Sequence, residues 1–142
     1  GGPAALGDGQ HVRVRQRICR ITPDSLDRHG EAVETIPYNI NKIEAALEEL
    51  HRKGFRSNAI ICKDRAACKK LRSRMKTGNK PKIIRGEDMI KPGTDVIIPA
   101  YLTKGLEFDG VIVADNGVLR KNAPGTFYVA CSRALHKLYV TE

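Results

Sequence analysis

Two stretches of this sequence carry side chains in arrangements that could do chemistry. The first, Leu102-Thr103-Lys104-Gly105-Leu106-Glu107-Phe108-Asp109, sets a glycine two residues before a carboxylate and runs into the apolar segment Gly110-Val111-Ile112-Val113-Ala114. A glycine at that point lets the backbone come close to a ligand, and a Glu carboxylate accepts hydrogen bonds from hydroxyls such as those of a ribose. A tight turn followed by a solvated carboxylate explains the same letters and, on local pattern alone, is the plainer reading. The second stretch, Phe127-Tyr128-Val129-Ala130-Cys131-Ser132-Arg133-Ala134-Leu135-His136, is apolar with Arg133 as its odd residue. Flanked by Val129, Ala130, Ala134 and Leu135, Arg133 must snorkel, pair with an acid at the domain edge, or reach a ligand anion.

Metal and thiol chemistry are not indicated. Cys19, Cys62, Cys68 and Cys131 form no CxxC pair and have no His at ligand spacing, so no metal site is expected and reduced cytoplasmic thiols are the simpler reading. No apolar run approaches the length needed to cross a bilayer.

The elements that must position Glu107 and Arg133 follow from hydrophobic periodicity. Ile43, Ala46, Leu47 and Leu50 recur at helical spacing, with Asn39 or Asn41 as a cap and Gly54 as the stop. Ala59-Ile60-Ile61-Cys62 reads as a buried strand feeding a helix that starts after Asp64 and runs to about Met75. Further short strands are expected at 82–85, 95–98 and 110–114, then a helix over about Phe127 to His136, opened by Pro124, and a last strand at Leu138-Tyr139-Val140. Continuous apolar strands call for a sheet covered on both faces, hence an α/β, doubly wound layout. Near the start, Val12-Arg13-Val14-Arg15 suggests a short half-exposed strand, and residues 1–26 are expected to form a flexible or incomplete segment ahead of a single domain at 27–142; the small residues of Gly1 to Gly7 suit a linker or a cloning remnant.

The charge is strongly asymmetric. The 142 residues hold 25 Lys plus Arg against 16 Asp plus Glu, a formal net charge of +9 that favours a polyanionic partner. Thirteen of those cations lie between His51 and Arg85, where Asp64 is the one acid. On the helix after Asp64, Cys68, Leu71 and Met75 share an apolar face while Arg65, Lys69, Arg72 and Lys76 share another. That basic face is either a solvated helix surface or a contact for phosphate backbone or an acidic protein. No aromatic residue is interleaved within 63–85, which argues against base stacking there.

Taken together, Lys104-Gly105-Leu106-Glu107-Phe108 before a strand and Tyr128-Val129-Ala130-Cys131-Ser132-Arg133-Ala134 downstream resemble motifs V and VI of superfamily-one helicases of the UvrD/Rep type. Asp27-Arg28-His29-Gly30 also resembles a short Arg-x-Gly stretch of that domain. The resemblance implies the second RecA-like domain (2A) of such an enzyme, a three-layer fold on a mainly parallel sheet. It implies Arg133 as the arginine finger that meets the ATP γ-phosphate, Glu107 as the acid that holds the ribose, and Gly105 at the close approach beside it. Ser132 stands where the family usually has Thr.

The sequence departs from that family at several points. It contains no G-x-x-x-x-G-K-[ST], so ATP with magnesium is expected only together with an N-terminal RecA-like domain that this chain lacks, and the chain reads as part of a longer protein. The family's Tyr-Arg segment is not evident either. Pro99-Ala100-Tyr101 replaces the Thr-x-His of DNA-translocating members, and the interval from Asp64 to Lys104 is short. Both features are similar to the HelD-type branch, whose members act on RNA polymerase. Tyr101 and the Arg65, Lys69, Arg72, Lys76 face are the candidate contacts for DNA or for that partner. A non-catalytic, basic nucleic-acid-binding module is the third reading.

Overall fold

The computed structural model describes residues 33–142. The expectations for Val12 to Arg15, for Asp27 to Gly30 and for the segment at 1–26 lie outside them. Strand β1 (Val33–Ile36) is followed by α1 (Ile40–Arg52), β2 (Asn58–Cys62), α2 (Arg65–Arg74), β3 (Lys82–Ile83) and β4 (Val96–Pro99). A short turn of tight helix at Ala100–Leu102 leads to β5 (Phe108–Val113), α3 (Val118–Asn122), α4 (Pro124–Cys131) and β6 (Ala134–Thr141).

All pairings are parallel, in the order β1-β6-β5-β2-β4-β3. The central strands are buried on both faces because their alternating residues feed two separate cores. Ile60, Cys62, Ile97 and Ile112 pack with Ile43, Leu47 and Leu50 of α1 and with Cys68 and Leu71 of α2. Ala59, Ile61, Val96, Val111 and Val113 face the opposite way, onto Leu119 of α3 and Phe127, Ala130 and Cys131 of α4. This is a helix–sheet–helix sandwich with a RecA-like fold.

The helix ends obey local chemistry. Asn39 caps α1 by accepting from the Lys42 amide at 3.1 Å. At the other end Gly54 adopts φ +88°, its amide donating to His51 O and that of Phe55 to Leu50 O, the bond pattern that closes a helix on a left-handed residue. Asp64 caps α2 through the Ala67 amide at 2.8 Å, and Pro124 occupies the first turn of α4. The strand expected at 82–85 is shorter, ending at Ile83.

One difference bears on the site. Sequence periodicity predicts a helix through His136 with Arg133 inside it. In the structure α4 ends at Cys131 and β6 begins at Ala134, so Arg133 lies in the junction between them. Ala134, Leu135 and Lys137 are good helix formers. Tertiary pairing overrides that preference, because Phe108 pairs with Ala134 and β1 pairs with β6 from Leu138 onward. Between Phe108 and Gly110 the register slips by one residue as β6 passes from Ala134 to Lys137, a bulge next to the junction.

Candidate functional site at the amino edge of the sheet

Because β5 and β6 are neighbouring parallel strands, the residues just before them stand together at one edge. Glu107 directly precedes β5 and Arg133 directly precedes β6. The Phe108 amide donates to the Arg133 carbonyl at 2.8 Å, joining the two sequence stretches at that point.

Upstream of Glu107 the chain turns sharply. The Leu106 amide donates to Thr103 O at 3.0 Å, and Gly105 carries φ +81° at the third position of that turn. A positive φ there suits glycine. A side chain at Gly105 would meet nothing within 4 Å, so the conformation rather than crowding selects the glycine. Thr103 is fully buried and its hydroxyl donates to Ala100 O at 2.7 Å, fixing the turn to the end of β4.

Arg133 is 6% exposed. Its Nη1 donates to Thr103 O at 3.4 Å and its Nε to Val129 O at 3.0 Å. Nε and Nη2 also donate to Ser132 Oγ, at 3.2 and 2.7 Å. The guanidinium thus ties the Thr103–Leu106 turn to the last turn of α4. Glu107 is half-buried at the same edge. Arg133, Glu107 and the Gly105 turn are therefore neighbours at this edge.

The same edge holds a polar network that sequence reading missed. Asp95, just before β4, pairs with His51 of α1 and accepts from Asn58 Nδ2 at 3.0 Å. Asn58 is fully buried and also donates to Phe55 O at 3.0 Å. Asp109 accepts from the Arg56 and Ser57 amides at 3.3 Å each, and Phe55 stacks on His136 with ring centroids 5.3 Å apart. These residues fix the α1–β2 loop against the strand starts. Single His, Asn and Asp letters tens of residues apart gave no signal of it.

The candidate contact residues lie elsewhere. Tyr101 is 61% exposed on the turn after β4, at the opposite, carboxyl edge. Arg65, Lys69 and Lys76 are exposed along and just beyond α2, whereas Arg72 is half-buried and its Nε donates to Pro81 O at 2.7 Å. At the carboxyl edge a cleft of about 570 Å³ opens between the starts of α1 and α2, lined by Tyr38, Lys63, Lys70, Arg74, Asp115 and Asn116. It lies where the connections leaving β2 and β5 pass to opposite faces of the sheet, the switch point at which open α/β sheets bind ligands. The cleft cations are not the four named from the helix face, because the α2 backbone turns Lys70 and Arg74 toward α1.

Burial pushes the Tyr38 phenol up from its usual value, with Cys62 and Asp115 adding to the shift. The Cys62 thiol, hydrogen-bonded to Cys68 and buried, is pushed well above the ordinary thiol range. Cys62, Cys68 and Cys131 are all buried in the two cores. Among the described residues no group of three His, Cys, Asp or Glu side chains is arranged to hold a metal, and no helix is long and apolar enough to cross a membrane.

No protein-family model matches the sequence, and no curated protein matches it significantly. Among solved structures the chain is similar to the crystal structure of the C-terminal domain of a possible DNA helicase from Lactobacillus plantarum WCFS1. The two share 26% sequence identity and a TM-score of 0.66, over 93% of this chain and 83% of that one. In sequence and fold, then, the chain is similar to the C-terminal domain of a possible DNA helicase.

Proposed function

We propose that the chain is the C-terminal RecA-like domain of an ATP-driven DNA helicase or helicase-like translocase of the UvrD/Rep type. On this reading it supplies Arg133 and Glu107 to a nucleotide site completed by an N-terminal RecA-like domain. The observation that carries it is the meeting of Glu107 and Arg133 across the β5–β6 pair, locked by the Phe108 amide and the Arg133 carbonyl.

The residues present fit a nucleotide bound between two domains. When bound, ATP with magnesium supplies the phosphoryl group that is passed to water. Arg133 offers a positively charged, planar fork to phosphate oxygens. Glu107 accepts from ribose hydroxyls, and the Gly105 turn sets its approach. The expected outcome in the whole enzyme is that Arg133→Ala lowers nucleic-acid-stimulated ATP turnover by roughly 10³–10⁵-fold. Arg133→Lys, which keeps the charge but loses the fork, falls between. Unchanged turnover in both variants refutes the assignment.

The nucleic-acid track is proposed for the carboxyl edge, at the cleft cations Lys63, Lys70 and Arg74 and the basic flank of α2, with exposed Tyr101 on the turn after β4 as a separate candidate contact. A non-catalytic module would use the same surface, so the two readings part only on turnover. If Lys70 and Arg74 each neutralise one phosphate, the double Ala variant shows a log–log salt slope for single-stranded DNA shallower by about 1.4.

A further inference from the structure

Ser132 is 1% exposed and sits in the junction between α4 and β6, beside the arginine. Its hydroxyl donates to the Val129 carbonyl at 2.6 Å. A serine hydroxyl has one proton and two lone pairs. With the proton committed to the carbonyl, Ser132 Oγ can face the guanidinium only as an acceptor, and it takes Nε at 3.2 Å and Nη2 at 2.7 Å. Val129 O and Thr103 O, which also accept from this guanidinium, are backbone atoms. Ser132 Oγ belongs to a side chain and holds the shortest of these four bonds.

We infer that Ser132 is a positioning residue: its hydroxyl, oriented by the end of α4, holds the Arg133 guanidinium in one direction at the amino edge of the sheet. This rests on the role proposed above for Arg133. The physical reason is preorganisation. A fork already fixed loses little freedom when an anion arrives, and its charge is aimed before the reaction begins. The hydroxyl touches the arginine, so Ser132 acts through Arg133. A threonine at this position keeps the oxygen, an alanine removes it, and a cysteine keeps the bulk with a much weaker acceptor.

Two measurements test this on Ser132→Ala, Ser132→Thr and Ser132→Cys. In the full chain, nitrogen-detected NMR of Arg133 reads rotation about its Cζ–Nη2 bond. Rotation is expected to be hindered in the parent and in Ser132→Thr, and at least about tenfold faster in Ser132→Ala and Ser132→Cys. In the whole ATP-hydrolysing protein, Ser132→Ala is expected to lower kcat roughly ten- to a hundredfold with KM nearly unchanged, and Ser132→Thr to restore it. Rotation unaltered in the Ala and Cys variants overturns the inference. So does a parental kcat in Ser132→Ala where Arg133→Ala is inactive. If Arg133→Ala itself turns over ATP normally, the nucleotide role of Arg133 fails instead, and NMR still decides whether Ser132 holds the guanidinium.

Discussion

Replacing Gly110 by Ala tests how closely the last turn of α1 is seated on β5. A Cβ at Gly110 would stand 2.6 Å from Leu50 Cδ2, 2.7 Å from Asn58 Oδ1 and 2.8 Å from Leu50 Cδ1. Carbon atoms pack at about 3.5–4.0 Å, so the neighbours must retreat by roughly an ångström. Both are fully buried, and Asn58 holds the Phe55 carbonyl and Asp95 at 3.0 Å each. Overpacking of this kind costs about 1–3 kcal/mol, and weakening two buried hydrogen bonds adds about 1–2, for a total of about 2–5 kcal/mol. That is a large share of the roughly 5–15 kcal/mol that separates a folded domain from its unfolded chain. At about 3–4 °C per kcal/mol for a chain of this size, Tm should fall by roughly 6–20 °C in a circular-dichroism melt. Leu50→Ala alone opens a cavity and is also destabilising. Combined with Gly110→Ala it removes the colliding methyls, so the double variant should lose at least about 1 kcal/mol less than the sum. A Gly110→Ala melt within about 2 °C of the parent, or strict additivity, refutes the packing argument.

Two other outcomes are expected. Asp115, 4% exposed, accepts from the Leu119 and Arg120 amides at 2.8 and 3.0 Å and so caps α3; Asp115→Ala should cost about 1–3 kcal/mol by urea titration, and an unchanged midpoint contradicts the cap. The Tyr139 phenol is pushed up to about 12, first by burial and then by the carboxylates of Glu34 and Glu49. Its folded pKa lies above the unfolded value of 10.0, so its contribution to stability is intact below that value and is lost as pH rises through about 12. Ultraviolet titration of the tyrosinate band reads this directly, and a phenol ionising near 10 in the folded protein contradicts it.

The sequence by itself determined the layered class and the identity of the candidate groups. The Ile43–Leu50 spacing, a cap at Asn39 or Asn41, the Asp64 cap, the Gly54 stop and the apolar runs of β2, β4 and β5 are short-range signals, set by backbone chemistry within a turn or two; the structure chose Asn39. Gly105, Glu107 and Arg133 were legible for a similar reason: a glycine, a carboxylate and a lone cation stand out against apolar strands and helices. Periodicity could not find the end of α4, because residues 134–137 favour a helix in isolation and become strand only when β5 offers a partner. Nor could it reveal the Ser132 and Thr103 contacts to the guanidinium, the His51–Asp95–Asn58 network, or the turning of Lys70 and Arg74 into a cleft. These contacts join positions up to 44 residues apart in the chain. The order of strands in the sheet decides such contacts, since only that order determines which strand starts share an edge, and so which charges face the same ligand.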